Sequence, residues 1–245
     1  MKAMILAAGL GTRLRPLTDD RPKALVEVAE HTLLEITLRR LASFGIREVI
    51  VNVHHFADMI VDFLRNNNFG LQIEISREAG LLDTGGGLKK AAWFFLQNGA
   101  EPFLLHNVDV ISTIDLARMV QFHRDNHALA TLAVQKRGTS RQLLFDDQRL
   151  LCGRRAGIGQ APEIVRACEP MQALAFSGVH VISSRLLGRI SEDGAFSIIT
   201  SYLRLASEGE RILAFPADPY YWRDLGKPEN VAQATDDVKR GILPI

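Results

Sequence analysis

Apolar runs of strand length alternate with segments of helical periodicity through the first half of this chain, and this alternation restricts the possible folds most strongly. In the segment 30–44, the apolar residues Leu34, Leu38 and Leu41 recur at helical spacing, and Gly45 is a suitable helix stop. Strands separated by helices indicate βαβ units and a mostly parallel sheet with right-handed crossovers. The predicted strands are 2–8, 49–51, 71–75 and 102–105, and the predicted helices are 30–44, 57–65 and 88–96.

The pattern changes after about residue 127, where short β-rich runs surround a segment, 153–162, that contains Gly, Arg and Pro. No repeat or long linker requires a division of the chain. We therefore predict one α/β domain over 1–245, with a regular half at about 1–127 and an irregular, β-rich half at about 128–245. The predicted strands of this half are 128–134, 142–145, 173–182, 212–215 and 220–225, and the helices are 198–206 and 229–239.

Charge and cysteine content exclude several classes of protein. The 29 Lys and Arg against 28 Asp and Glu give a net charge of +1, so we expect neither a nucleic acid nor a membrane as partner. Cys152 and Cys168 are too few for a disulfide framework, and a cytoplasmic location is expected. The opening apolar run stops at Thr12-Arg13 and is interpreted as a strand, and no run approaches the ~20 apolar residues of a membrane span.

A glycine-containing turn follows the first predicted strand. Gly9 and Gly11 would let backbone N–H groups approach phosphate oxygens, while Arg13, Arg15 and Lys23 would offset the charge of the phosphates. Leu14 stands where a dinucleotide fingerprint has its third glycine, and the Gly-Lys-Ser/Thr ending of a P-loop is absent. An ordinary turn with solvated arginines is the alternative, but the Pro-Lys pair at 22–23 favours a phosphate site.

These segments resemble the sugar-1-phosphate nucleotidylyltransferases, and the resemblance extends over nearly the whole chain. Residues 9–18, with Pro-Lys at 22–23, are similar to the family's Gly-x-Gly-Thr-Arg-Leu-x-Pro-Leu-Thr and Pro-Lys. Residues 82–88 are similar to its second glycine segment, and residues 107–110 are similar to its Asn-Gly-Asp-Val motif. Residues 176–179 are similar to its Phe-Ser/Thr-Gly-Val motif, and residues 222–229 to its Trp-x-Asp-Ile/Val-Gly-Thr-Pro-Glu motif. The Thr-Gly-Gly-Gly segment and the short length most resemble N-acetylmuramate-1-phosphate uridylyltransferases and mannose- or heptose-1-phosphate guanylyltransferases.

The resemblance implies a three-layer α/β/α, Rossmann-like fold of the GT-A type. It also implies an enzyme that joins the nucleotidyl group of an NTP to a sugar-1-phosphate, with UTP or GTP as the favoured NTP. The first half would bind the nucleotide and the second half the sugar phosphate. Arg13 would face the leaving pyrophosphate, and Lys23 would bridge the reacting phosphates. The implied nucleotide-binding residues are Ala8, Gly9, Gly11, Thr12, Arg13, Lys23, Asp83, Gly85, Gly86 and Asn107, with Gly85 and Gly86 at the base, and the implied sugar-phosphate-binding residues are Gly178 and Trp222.

Asp109 and Asp224 are the candidate metal ligands. Each lies at or just beyond the end of a predicted strand, where ligands bind in an open α/β sheet. Mg²⁺ prefers oxygen ligands from one or two carboxylates together with substrate phosphates. Either residue alone would more commonly cap a helix or a turn, whereas together, and in the family context, they predict a Mg²⁺ site.

Two departures from the family pattern affect the expected site. Val108 replaces a glycine, and its branched side chain would obstruct a close approach of the nucleotide to the backbone. No Glu-Lys-Pro element for the sugar phosphate appears between 150 and 170, where Arg154 or Arg155 could substitute. The alternatives are a catalytically weak nucleotide-sugar-binding regulatory subunit, for which Val108 is the support, and a cytidylyltransferase acting on phosphocholine. The sequence does not distinguish a monomer from a homo-oligomer.

The histidines and the aromatic cluster have simpler interpretations. His54, His55 and His106 lack a third ligand at a recognisable spacing, so we interpret them as ordinary hydrogen-bonded or surface residues. The sequence Trp-Phe-Phe at 93–95 lies in a helical period and is expected to pack in the core.

Overall fold

A computed structural model describes residues 1–97, 101–155, 157 and 159–245 of the chain. The strands are β1 (Lys2–Leu6), β2 (Glu27–Val28), β3 (His31–Thr32), β4 (Glu48–Val53), β5 (Gln72–Arg77), β6 (Phe103–Asn107), β7 (Val110–Ser112), β8 (Ala130–Gln135), β9 (Gln142–Phe145), β10 (Leu151–Arg155), β11 (Glu163–Ile164), β12 (Gln172–Ile182), β13 (Ile212–Pro216) and β14 (Trp222–Asp224). The helices are α1 (Leu33–Ser43), α2 (Ala57–Asn66), α3 (Asp83–Lys90), α4 (Ala92–Leu96), α5 (Leu116–Asp125), α6 (Ile198–Ser207) and α7 (Pro228–Lys239).

The central sheet changes character at β6. On one side of it β6, β1, β4 and β5 run parallel in that order, with Met4 of β1 between Ile50 of β4 and Leu105 of β6. On the other side β12 pairs antiparallel with β6, β8 and β9. Strand β13 returns parallel to β8, and β10 and β11 extend the sheet antiparallel beyond β9. The predicted α/β fold is confirmed, with its four-stranded parallel part in the first half.

Helices cover both faces of the sheet and give three layers. Successive side chains of a strand point to opposite faces, and β1 shows this directly. Ile5 packs with apolar residues of α1, α2, α5 and α7. Met4 packs with those of α3, α4 and α6, among them Phe94 and Tyr202. The two apolar cores therefore hold the sheet rigidly from both sides.

A kink in β12 and a small separate sheet shape the second half. The register of β12 against β8 shifts between Phe176 and His180, and Gly178 lies in this irregularity with φ +75°. Beside it, β7 and β14 form a two-stranded antiparallel sheet that pairs Val110 with Asp224. This small sheet brings the chain near residue 224 next to the end of β6.

Several elements differ from the sequence expectations. The helix predicted at 88–96 begins earlier and consists of α3 and α4 with Ala91 between them, because the three glycines of α3 have low intrinsic helix propensity and concealed its start. Helix α5, which was not predicted, has Leu116, Met119, Val120 and His123 on its buried side. Part of the segment 153–162 lies outside the described residues. No helix in the described part of the chain has the length and apolarity needed to cross a membrane.

The two cysteines are joined in the structure. Cys152 lies on β10 and Cys168 in the segment before β12, with their Cα atoms 6.5 Å apart and a disulfide bond between them. A single bridge is not a disulfide framework, in line with the sequence prediction. The bond links β10 to the chain that leads into β12.

Candidate active site

A cavity of about 430 Å³ opens where the parallel strands end. Strands β6, β1 and β4 are adjacent and parallel, so their carboxyl ends meet at one edge of the sheet, the usual position of ligands in open α/β folds. The volume lies within the range of small-molecule sites. A larger depression, about 640 Å³, lies beside His54 and Arg77, away from the phosphate-binding motifs. The 430 Å³ cavity is lined by Leu6, Ala7, Ala8, Gly9, Lys23, Asn52, Leu81, Asp83, Thr84, Asn107, Val108, Asp109 and Ala195.

The glycine turn after β1 is folded against Lys23. Gly11 has φ +68°, and a Cβ there would lie 3.0 Å from Cγ2 of Thr18 and 3.3 Å from Cβ of Lys23. The Thr18 hydroxyl donates to the Gly11 carbonyl over 2.9 Å. Thr12 and Arg13 lie in the following 3₁₀ turn, Thr12–Leu14, and both are exposed. Glycine is therefore required at position 11 by both its backbone conformation and the space available.

The Lys23 ammonium contacts the Asp109 carboxylate, and this ion pair lies at the floor of the cavity. Both side chains are largely buried, with 12% and 16% of their surface exposed. Asp224 lies on the neighbouring strand β14, and the Leu225 N–H donates to the Asp109 carbonyl over 2.8 Å. The Asp224 carboxylate accepts from the Gly226 N–H over 2.6 Å. The two predicted metal ligands are thus close along the paired backbones: Asp224 lies on β14, and Asp109 immediately precedes its partner strand β7.

The side chain of Arg13 extends across to Asp224 from the opposite side of the site. A Cβ at Gly226 would lie 2.9 Å from the Arg13 Nη2 atom and 2.7 Å from the Asp224 Oδ1 atom. Gly226 therefore leaves room for both charged groups. The turn after β1 and the turn after β14 meet here, although more than 200 residues separate them in sequence.

The donor set fits Mg²⁺ only together with substrate. In the described part of the chain, no three His, Cys, Asp or Glu side chains are grouped closely enough to hold a metal ion. The Asp224 carboxylate on β14 and the Asp109 carboxylate in the turn before β7, the strand that pairs with β14, match the way Mg²⁺ binds through one or two carboxylates and substrate oxygens.

Asn52 and Glu78 form a buried hydrogen-bonded link that the sequence analysis did not identify. The Asn52 side chain accepts from the Ala7 N–H over 2.7 Å and donates to the Glu78 carboxylate over 2.6 Å. The second Glu78 oxygen accepts from the Leu82 N–H over 3.0 Å. The link therefore fixes the glycine turn after β1 relative to the segment at 82–88. A polar Asn in the apolar strand at 48–53 was the available sequence signal.

Gly85 and Gly86 lie deeper than predicted. Both are buried in α3, and both N–H groups donate to the Phe196 carbonyl, over 2.9 and 3.3 Å. A Cβ at Gly85 would overlap the ring of Phe196, and one at Gly86 would overlap the Gly194 carbonyl. Neither glycine is among the residues that line the 430 Å³ cavity, and their placement at the base stays a prediction. Asp83, also predicted, does line the cavity, beside the unpredicted Leu81 and Thr84.

The predicted sugar-side residues gather around Asn107 and Trp222. A Cβ at Gly178 would lie 3.0 Å from the Asn107 side-chain nitrogen. The Asn107 Oδ1 atom is buried and has no hydrogen-bond partner among the described residues. The Trp222 indole N–H donates to the Ser177 carbonyl over 2.7 Å. Gly178 and Asn107 are therefore neighbours, and Trp222, two residues before Asp224, contacts the residue that precedes Gly178.

Arg154 and Arg155 lie on β10, away from this cluster. The Arg154 guanidinium is paired with Glu163 over 2.7 Å, and Arg155 contacts Gln142 over 3.4 Å. Strand β10 is separated from β12 by β9, so neither arginine is placed to replace the missing lysine.

Val108 obstructs the cavity less than its position in the motif suggested. Its side chain is 3% exposed and packs in the core beneath α1. Val108 is not among the described residues with positive φ, and its N–H donates to the Leu6 carbonyl over 3.2 Å. The backbone at 108 therefore does not need the freedom of glycine.

The histidines and the aromatic cluster take the simpler roles. His54 contacts the Glu78 carbonyl over 2.9 Å, and His106 contacts the Asn107 carbonyl over 2.8 Å. Burial lowers the pKa of His106 to about 4. Phe94 and Phe95 are buried, whereas Trp93 is exposed, so the prediction of core packing holds for two of the three residues.

Comparison with known proteins agrees with the architecture and the motifs. A family model described as Nucleotidyl transferase matches residues 2–142. The N-acetylmuramate alpha-1-phosphate uridylyltransferase of Caulobacter vibrioides is 33% identical over 93% of this chain and 92% of its own length. The mannose-1-phosphate guanylyltransferase of Mycobacterium tuberculosis is 30% identical over 99% of this chain, which spans 66% of that protein.

Solved structures show the same fold at lower identity. HddC from Yersinia pseudotuberculosis superposes with a TM-score of 0.77 at 22% identity, covering 97% of this chain and 99% of that chain. A putative glucose-1-phosphate thymidylyltransferase from Bacillus anthracis superposes with a TM-score of 0.79 at 16% identity, covering 96% and 94%. Because the family model covers more than half of the chain and the Caulobacter protein aligns over nearly all of it, this chain belongs to the nucleotidyl transferase family.

Proposed function

We propose that this chain transfers a nucleotidyl group from an NTP to a sugar-1-phosphate. A phosphate oxygen of the sugar-1-phosphate attacks the α-phosphorus of the NTP, and the bond from that phosphorus to the oxygen bridging to the β-phosphate breaks. The products are an NDP-sugar and pyrophosphate. Catalysis of such a transfer depends on positioning and charge stabilisation, and no covalent intermediate on the protein is needed.

The observation that carries the proposal is the meeting of Lys23, Asp109 and Asp224 at the end of β6 and the mouth of the phosphate turn. Ala8 and Gly9 line the cavity where the triphosphate would lie. Lys23 would balance charge on the reacting phosphates. Arg13, whose side chain reaches Gly226, would face the leaving pyrophosphate.

Asp109 and Asp224 would hold Mg²⁺, which supplies positive charge to the phosphate oxygens of the transition state. The Lys23 ammonium already contacts Asp109, so the carboxylate has a cation beside it before substrate arrives. Asp224 is held by the Gly226 N–H, which fixes the direction of one carboxylate oxygen.

Similarity to named relatives narrows the choice of donor NTP and of acceptor sugar-1-phosphate. Relatives named as uridylyl- and guanylyltransferases of N-acetylmuramate- and mannose-phosphates favour UTP or GTP with a hexose-type 1-phosphate. The product would serve nucleotide-sugar biosynthesis, and the use of an NTP favours the cytoplasm as location. A thiol reagent added to freshly lysed cells would test that location. Labelling of both Cys152 and Cys168 would show that they are reduced thiols, as expected in the cytoplasm, whereas a disulfide between them would remain unlabelled.

The test is release of pyrophosphate by the purified chain with UTP, GTP, CTP, ATP and dTTP. Each would be combined with a panel of sugar-1-phosphates and with phosphocholine, with Mg²⁺ and with a chelator. We expect metal-dependent release with one donor and one sugar-1-phosphate. Release with CTP and phosphocholine alone would identify a different acceptor class, and tight NTP binding without any release would indicate a regulatory protein.

A further inference from the structure

Arg137, which no motif identifies, lies against the sugar side of the candidate site. It follows β8, whose last residue, Gln135, donates to the carbonyls of Ala217 and Tyr220 over 2.9 and 3.2 Å. The guanidinium carbon lies 3.7 Å from the centre of the Trp222 ring. Its Nη2 group donates to the Phe176 carbonyl over 2.6 Å. The arginine is thus held between Phe176 of β12 and Trp222 of β14.

Its charge is not neutralised by a close carboxylate. Among the described residues, Arg137 forms no ion pair within 4.0 Å, and its buried Nε–H has no hydrogen-bond partner. Burial lowers the pKa of Arg137, and the nearby charge of Asp224 opposes that shift. A guanidinium remains protonated in proteins. The site therefore contains a partly dehydrated positive charge with unused donors.

The position of Trp222 directs that charge towards the candidate metal site. Side chains at alternate positions of a strand point to the same face, so Trp222 and Asp224 share one face of β14. Arg137 lies on that face, whereas Arg223 points to the other and is paired with Asp237 over 2.9 Å. Cation–π contact with Trp222 orients the guanidinium without occupying its N–H donors.

We propose that Arg137 is the residue that binds the phosphate of the acceptor substrate, with Trp222 as its support. The inference rests on the proposed function and assigns the acceptor cation that the sequence motifs leave open. Arginine suits this role because its planar fork can donate two parallel hydrogen bonds to one phosphate. Lys23 and Arg13 remain for the donor triphosphate, so donor and acceptor phosphates are served by separate cations.

The experiment compares Arg137→Gln and Arg137→Lys with the unchanged chain in steady-state kinetics. Loss of a charge-assisted contact to phosphate should raise the KM of the sugar-1-phosphate about 10- to 100-fold, with the KM of the NTP changed less than about twofold. R137K keeps the charge but loses the fork, and should recover part of the affinity. Equal effects on both substrates, or no effect on the acceptor, would overturn the assignment.

A matched control is Arg149→Gln. Arg149 also lies over an aromatic ring, with its guanidinium carbon 5.8 Å from the centre of Phe122, but it is exposed on the side of α5. R149Q should leave both KM values unchanged. A loss of acceptor affinity in Arg154→Gln or Arg155→Gln, but not in R137Q, would move the role to β10 and contradict the proposal.

Equilibrium binding separates this inference from the proposed reaction. The probes are mannose-1-phosphate, N-acetylmuramate α-1-phosphate and their free sugars, titrated into the chain with a non-hydrolysable NTP. We expect the unchanged chain to bind a phosphorylated probe more tightly than its free sugar. Loss of this preference in R137Q and its partial recovery in R137K would support the role of Arg137 in phosphate binding, even if no pyrophosphate is released. A preference that persists in a folded R137Q protein, or no preference in the unchanged chain, would refute the role of Arg137 whatever the reaction.

Discussion

The two halves of the molecule build their parts of the site in different ways. In the first half, the parallel strands β1, β4 and β6 end at one edge of the sheet. Most of the residues that line the cavity lie at these strand ends or follow them directly in sequence. In the second half, Arg137, Phe176 and Trp222 come from three separate antiparallel or peripheral segments. Contiguous backbone groups form a motif that can be recognised, whereas convergent side chains are visible only in three dimensions.

The largest effect is expected for Asp109→Asn, which tests whether the end of β6 carries the chemistry. The change removes a charge beside Lys23 but almost no volume, so the fold should persist while turnover falls about 10³-fold or more. Pyrophosphate release and thermal unfolding would be measured together. The exposed Asp147→Asn variant serves as control. Near-normal, metal-dependent turnover of D109N would remove Asp109 from the site.

Asn52→Ala should produce the next largest effect, and it tests whether the first half depends on its buried link. The change leaves the Ala7 N–H and one Glu78 oxygen without their partner. Each unsatisfied buried group costs about 1–3 kcal/mol, so NTP affinity should fall about 10- to 100-fold with some loss of stability. Calorimetric titration of NTP would measure this, with the exposed Asn66→Ala as control. Reduced stability with unchanged affinity would make Asn52 a purely structural residue.

Acidification should weaken the boundary between the two halves. The two halves are joined by the antiparallel strand pair β6 and β12, which carry His106 and His180. Burial lowers the pKa of His106 from 6.5 to about 4 and the pKa of His180 from 6.5 to about 3. Because the folded pKa values are lowered, this stability is fully present above pH 6.5 and is lost as the pH falls towards the folded values.

The free energy of unfolding should therefore fall by about 1.4 kcal/mol per pH unit for each histidine below pH ~6.5. Urea unfolding at a series of pH values between 7.5 and 5 would measure the slope. Removal of the exposed His127 by His127→Gln should leave the slope unchanged, whereas His180→Gln should reduce it. An equal slope in H180Q and the unchanged chain would show that His180 does not contribute to the pH dependence of the free energy of unfolding.

Val108→Gly should have the smallest effect on activity. Since the valine side chain packs in the core, its loss should cost about 2–4 kcal/mol of stability while kcat changes less than about twofold. Denaturant unfolding and steady-state kinetics would measure both quantities. A large rise in turnover would instead show that Val108 obstructs the nucleotide, which is the support for a regulatory protein.

The contrast between the halves also explains how far the sequence predicted the molecule. The strand–helix alternation predicted the parallel sheet. The strand 142–145 was predicted to the residue from its short apolar run, which is buried at three consecutive positions. Helix α3 was obscured by its glycines. In the site, Lys23, Asp109 and Asp224 were predicted because they follow strand ends or lie in recognisable motifs. Arg137 was not, because its role depends on contacts with Phe176 and Trp222, which are 39 and 85 positions away in sequence.

The packing of α3 has a consequence for the interpretation of sequence variation. Gly85 and Gly86 face Phe196 and Gly194 so closely that any side chain would overlap them. A saturation mutagenesis library selected for activity should therefore reject every replacement at these two positions, as it would for a residue in direct contact with substrate. Selection for folding alone would reject them as well, whereas Asp109 should tolerate asparagine in that second screen. Only the two screens together separate glycines that support the site from residues that act in it.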